Sequence, residues 1–110
     1  MVAVNLNMVN TTPGTLLAKG IGPVPPGEEW LVDVRVCNSG TANDVVDLRV
    51  RNTDGSNACY RANGHSVERG APPYDLEVRL AMNAGQELWA RSGAGHVDVS
   101  YSGTKRSTAD

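Results

Sequence analysis

Three stretches of the chain alternate apolar and polar side chains with a period of two. In "WLVDVRV", Trp30, Val32, Val34 and Val36 share one side, and Leu31, Asp33, Arg35 and Cys37 share the other. "DVVDLRVRN" sets Val46, Leu48 and Val50 against Asp47, Arg49 and Arg51. "YDLEVRLAM" sets Leu76, Val78, Leu80 and Met82 against Asp75, Glu77, Arg79 and Ala81. Successive side chains of a strand point to opposite faces, so each stretch predicts a strand with one face in a core and the other outside. Four weaker segments, at 14–20, 58–64, 86–92 and 96–103, bring the expected total to about seven strands.

The intervening segments "GPVPPGE", "NSGTAND", "NTDGSN", "RGAPP", "NAGQ" and "SGAG" are rich in residues that accept positive φ or preset a turn. Short strands at this spacing predict an all-β fold, an antiparallel β-sandwich of immunoglobulin-like or jelly-roll kind, with the strand order left open. The first 12 residues carry their own alternation, "VAVNLNMV", ahead of the first clear turn. They read as an N-terminal arm or an edge strand, the arm pairing with a neighbouring subunit's open sheet edge. The domain plan is therefore an arm or edge strand over 1–12, a sandwich over 13–103 and a flexible C-terminal tail over 104–110.

Composition supports this picture. A chain of 110 residues holds one hydrophobic core. Its apolar residues are dominated by Val, with no Phe, and β-branched side chains suit a pleated sheet. Ten basic against twelve acidic residues give a net charge of −2. They include no basic run, which argues against nucleic acid as a partner. The N-terminus lacks a basic start, a long apolar segment and a small-residue cleavage site, and no run approaches the roughly 20 apolar residues of a membrane span. The expectation is a soluble chain made in the cytoplasm, without a membrane partner.

Candidate chemistry is sparse. In a simple meander the strand over 44–52 would hold Cys37 and Cys59 well beyond the ~7 Å limit on Cα separation for a bridge. Two free thiols are expected, with an internal or an intersubunit disulfide as the alternatives. His65 and His96 stand 31 residues apart without a metal-ligand pattern and read as surface histidines beside turns. "NTDGSN" resembles the start of a calcium loop but lacks the terminal Glu, so it reads as a hairpin turn around Asp54 and Gly55. "SGAGH" is a turn and not a dinucleotide fingerprint, and "NTT" at 10–12 matches a glycosylation acceptor by accident. With no nucleophile elbow, helix-borne metal motif or phosphate loop, no catalytic residue, metal or cofactor is expected. Trp30 is in phase with its strand's apolar side and reads as core. Trp89 shares its phase with Glu87 and Arg91 and reads as an exposed interface anchor.

The order of features, an early "TLL", then "VPPGEEWLVDVRVCNSGTA" and finally "MNAGQELWARSGAGHVDVSYSG", resembles small all-β virion structural proteins of tailed bacteriophages. In these, a Pro-marked turn leads into a strand ending in Cys-Asn or a similar polar turn, and a hairpin of the form "aG..l.a....v.v...G" closes the domain. The resemblance covers about residues 12–103, through motifs that are structural. It implies a non-enzymatic particle component of the neck, collar or tail, or a capsid decoration. Such a protein forms a symmetric homo-oligomer, contacts other virion proteins and resides in the virion after assembly in the host cytoplasm. Under it, Asp33, Arg35, Cys37, Arg49, Arg51, Trp89 and Arg91, with Asp47, would form subunit contacts, charge complementarity setting register. The alternative is a carbohydrate- or receptor-binding module that stacks a glycan on an exposed Trp or Tyr.

Overall fold

The computed structural model describes residues 4–56 and 58–107, the side chains of residues 4, 7 and 8 excepted. It contains eight strands: β1 (Val4–Thr11), β2 (Ala18–Ile21), β3 (Glu28–Asn38), β4 (Asp44–Asn52), β5 (Cys59–Val67), β6 (Tyr74–Asn83), β7 (Gln86–Ser92) and β8 (Val97–Ser107). One sheet has the order β1-β8-β3-β6 and the facing sheet the order β2-β7-β4-β5, with every pair antiparallel. Two interlocked four-stranded sheets with this order form a jelly roll. The sandwich expectation holds, and the N-terminal alternation is an edge strand of the first sheet, Val9 lying opposite Tyr101. Residues 1–3 of the expected arm and 108–110 of the expected tail lie outside the described residues.

The alternation read from the sequence builds the core. Val32, Val34 and Val36 from β3 face Val46, Leu48 and Val50 from β4, with Leu88, Ala90, Val97, Val99 and Tyr101 around them. Trp30 is half-buried and packs on this core's edge. The "CNSGT" turn after β3 is held by Asn38, 4% exposed. Its amide donates to the Ala42 and Val67 carbonyls at 2.9 and 3.0 Å, and its side-chain oxygen accepts the Gly40 N–H. A buried amide is tolerated because its hydrogen bonds are made.

Several expectations are corrected. β3 and β4 are not a meander pair, because the chain crosses from one sheet to the other between them. β2 starts at Ala18 rather than 14. The domain does not end at 103: Thr104, Lys105 and Arg106 pair with Leu31, Trp30 and Glu29, and Arg106 also reaches the Glu29 carboxylate. Val78 does not continue the apolar face of β6 but stands 61% exposed. The reason is a bulge that sets both Val78 and Arg79 opposite Asp33, with Arg79 at φ 54°. A bulge adds one unpaired residue and shifts the phase of what precedes it.

The same register slip recurs in the other sheet. Val32 pairs with Leu80 and Val34 with Glu77, while Val46 pairs with His65 and Leu48 with Ala62. In each case an Asp of an inner strand, Asp33 or Asp47, faces two residues of an edge strand. Each carboxylate accepts a backbone N–H of its bulge, from Arg79 or from Gly64. The sequence echo "VDVRV" and "VDLRV" thus marks equivalent positions in the two sheets.

Candidate functional site

The residues expected to form subunit contacts all belong to the outward rows of strands β3, β4 and β7, but on opposite surfaces. Asp33, Arg35 and Cys37 belong to the β1-β8-β3-β6 sheet, whereas Arg49, Arg51, Trp89 and Arg91 belong to the β2-β7-β4-β5 sheet. No single flat contact spans both groups.

On the first surface, Arg35 Nε donates to Asp75 Oδ1 at 3.2 Å, and Asp33 is engaged with the Arg79 amide. Asp98 accepts the hydroxyls of Thr12 at 2.9 Å and Ser39 at 2.7 Å. Cys37 is a half-buried free thiol lining a groove of about 430 Å³ with Thr12, Arg35 and Asp98. Cys59 is a free, exposed thiol on the other sheet. The middle of this surface therefore carries the carboxylates Asp33, Asp75 and Asp98 against the cations Arg35 and Arg79.

On the second surface, cross-strand pairing aligns Lys19, Trp89, Arg49 and Tyr60 in one row. The Arg51 guanidinium lies 3.5 Å over the Trp89 ring, and that of Arg49 lies 5.2 Å over Tyr60. Trp89 Nε1 donates to Glu87 Oε1 at 3.0 Å, while Lys19 pairs with Glu87 at 3.9 Å and Arg91 with Asp47 at 3.3 Å. Trp89 is accordingly half-buried, stacked under Arg51 and tied by its indole N–H. The more open aromatic is Tyr60, 48% exposed. Arg49 and Arg51 have no carboxylate partner among the described residues, and their Nε atoms are buried without a hydrogen bond. Four cations, Lys19, Arg49, Arg51 and Arg91, here outnumber the carboxylates Asp47 and Glu87.

Lys19 and Tyr60 were missed as members of this row because their segments, "AKGI" and "CYRANGHSV", show little alternation of burial. Their partners are set by pairing with β7 and β4, which local pattern does not encode. His65 is not beside a turn but within β5, half-buried, with Nε2 2.7 Å from the Tyr74 hydroxyl.

Asp44, Ser92 and His96 converge at one end of the sandwich without forming a nucleophile site. The Asp44 carboxylate takes the Ser92 hydroxyl directly at 2.6 Å and meets His96 only through its backbone N–H at 3.0 Å. It also accepts the N–H groups of Val45 and Ala94. A catalytic relay would place an imidazole between carboxylate and hydroxyl; here the carboxylate pins the turn between β7 and β8. The "NTDGSN" segment is a hairpin turn in which Gly55 N–H donates to the Asn52 carbonyl at 2.8 Å and Ser56 N–H to Asp54. Those Ser56 contacts hold the Asp54 carboxyl below its usual range. Among the described residues, no group of three His, Cys, Asp or Glu side chains is placed to hold a metal ion.

No protein-family model matches the sequence, and no curated protein matches it. Among solved structures, the chain is similar to a pentameric capsid protein isolated from metagenomic phage sequences, at 25% identity and a TM-score of 0.43. The match covers 94% of this chain and 62% of that one, so the chain spans less than two thirds of that protein's length. At this score the superposition is loose.

Proposed function

We propose that the protein is a non-enzymatic structural component of a tailed-phage particle. It acts as a symmetric homo-oligomer at the neck, collar or tail, or decorating the capsid. It contacts other virion proteins and assembles in the host cytoplasm. The observation that carries the reading is the pair of oppositely charged outer surfaces. Asp33, Asp75 and Asp98 leave an excess of negative charge on one sheet, while Arg49 and Arg51 leave unpaired cations on the other. Surfaces of opposite sign on a slab suit a contact in which one copy's first sheet meets its neighbour's second. Such a heterologous contact closes into a ring when the rotation permits, and charge complementarity selects its register. The jelly roll is also an architecture of viral capsid domains, although it serves lectins and cupins too. The phage assignment rests on the sequence resemblance and this charge geometry, and the loose structural likeness carries no weight in it.

The glycan-binding alternative is less favoured because Arg51 covers one face of Trp89, leaving Tyr60 as the open aromatic of that surface. The test is a pair of charge reversals. Arg49→Glu with Arg51→Glu, and separately Asp75→Lys with Asp98→Lys, should each abolish self-association at low salt, and mixing the two variants should restore association. Association unchanged in both variants, or a wild-type chain that never associates, would sink the proposed contact.

A further inference from the structure

The outer surface of the β2-β7-β4-β5 sheet interleaves flat rings with cations. Cross-strand pairing sets Lys19, Trp89, Arg49 and Tyr60 side by side on four neighbouring strands, a row about 14 Å long at the ~4.8 Å spacing of strands. The Arg51 guanidinium lies on one face of the Trp89 ring, and Arg91 stands in the next outward row, opposite Asp47. The groups are within reach of a ligand. The side chains of Lys19 and Arg91 are 45% and 42% exposed, Tyr60 is 48% exposed, and Arg49 and Arg51 are half-buried.

Both carboxylates of this surface are already engaged. Glu87, buried, accepts the Trp89 indole N–H and pairs with Lys19, while Asp47 accepts the Gly64 amide and pairs with Arg91. Arg49 and Arg51 have no carboxylate partner among the described residues, and each is stacked on a ring, Tyr60 or Trp89. A guanidinium held in this way is a preorganised donor for phosphate, and its plane is a surface on which a nucleobase stacks. The two demands of a single strand, cations for the backbone and flat faces for the bases, are thus met on one surface. An acidic peptide would use the cations and leave the faces idle. A basic run along the chain is not needed to build the surface, because its cations come from β2, β4 and β7, and the acidic opposite sheet masks them in the net charge of −2.

We propose that this surface binds single-stranded nucleic acid across its four strands, phosphates meeting Lys19, Arg49 and Arg91 and bases stacking on Tyr60 and on the Arg51 guanidinium. Binding is independent of sequence, since every base has a face to stack and the contacts to the backbone read none of them. A duplex binds more weakly because its bases are already stacked on one another. The inference does not rest on the assembly reading, although a neighbour's acidic sheet would compete for the same cations.

The test is fluorescence anisotropy of a labelled oligo(dT) 12-mer titrated with the full chain at several salt concentrations. Asp75→Asn with Asp98→Asn is titrated beside the wild type, so that a self-contact covering the cations is not mistaken for absence of binding, and native mass of the same samples reports assembly separately. Saturable binding is expected, with log affinity falling against log salt at a slope of about −2 for three phosphate contacts. Lys19→Gln with Arg49→Gln should weaken binding and flatten that slope by about 1.4. Tyr60→Ala should weaken binding about fivefold or more while leaving the slope unchanged, because stacking releases no counterions. Arg51→Lys, which keeps the charge and loses the plane, should also weaken it. Arg106→Gln makes the same charge change on the opposite sheet and should have no effect. Thermal melts show that each variant is folded. Absence of saturable binding by both the wild type and the Asp75/Asp98 variant would overturn the proposal, as would an affinity unchanged by the Lys19 and Arg49 substitutions. An abasic 12-mer bound as tightly as oligo(dT), or a loss in Arg106→Gln as large as in the surface variants, would overturn it too.

Discussion

The Asp33 carboxylate accepts the backbone N–H of Arg79 at 2.8 Å, at the one non-glycine residue with positive φ among the described residues. Asp47 holds Gly64 in the same way on the other sheet. β5 and β6 are edge strands, and a bulge that interrupts the ladder discourages edge-to-edge pairing with other chains. The two positions differ in cost. Gly64 takes φ 70° freely, whereas Arg79 at 54° bears the Cβ penalty of the left-handed region, about 1–2 kcal/mol. Arg79→Gly is therefore expected to stabilise the fold by roughly 0.5–1 kcal/mol after the added chain entropy, raising the melting temperature by a few degrees. Asp33→Ala should cost about 1–2 kcal/mol. Thermal melts of both variants check this, and a destabilising Arg79→Gly would show that the side chain has a role beyond the bulge.

Acid should loosen the β7–β8 end. Burial alone raises the Asp44 pKa, but the Ser92 hydroxyl and the N–H groups of His96, Val45 and Ala94 outweigh it and hold it at about 2, against 3.8 for a free carboxyl. The unfolded chain then binds the proton more readily. The contribution to stability is fully present above about pH 4 and is lost as pH falls toward 2, about 2 kcal/mol in all. Asp44→Asn should lower stability at neutral pH and flatten the loss between pH 4 and 2. Urea unfolding across that range measures both effects.

Arg51 and Trp89 give a spectroscopic prediction. With the guanidinium 3.5 Å above the ring, Arg51→Ala should uncover the indole and shift its emission to longer wavelength, at a stability cost of about 0.5–1 kcal/mol. Arg51→Lys should rescue only part, because an ammonium does not stack as a planar guanidinium does. A Trp30→Phe background isolates the Trp89 signal, and unchanged emission in Arg51→Ala would mean that the stack does not persist in solution.

The periodicity of "WLVDVRV" and "DVVDLRVRN" made the inward valines and the outward Asp33, Arg35, Arg49 and Arg51 legible, because a strand's two faces are encoded locally. Which sheet each strand joins is not local. Asp33 and Asp47 looked like members of one charged face, and the crossover between β3 and β4 put them on opposite sides. Val78 was misread because a one-residue bulge leaves no trace in composition and Arg79 gives no sign of its positive φ. Trp89 was placed on the outer row correctly, but its cover by Arg51 comes from the neighbouring strand.

The most direct measurement of the central claim is the native mass of the purified chain at low and high salt, with and without reductant. The account predicts a discrete closed oligomer at low salt that dissociates when Arg49 and Arg51 are both replaced by Glu. Dissociation on reduction alone would place Cys37 or Cys59 at the subunit seam. A monomer at every concentration and salt would contradict assembly through the two charged surfaces.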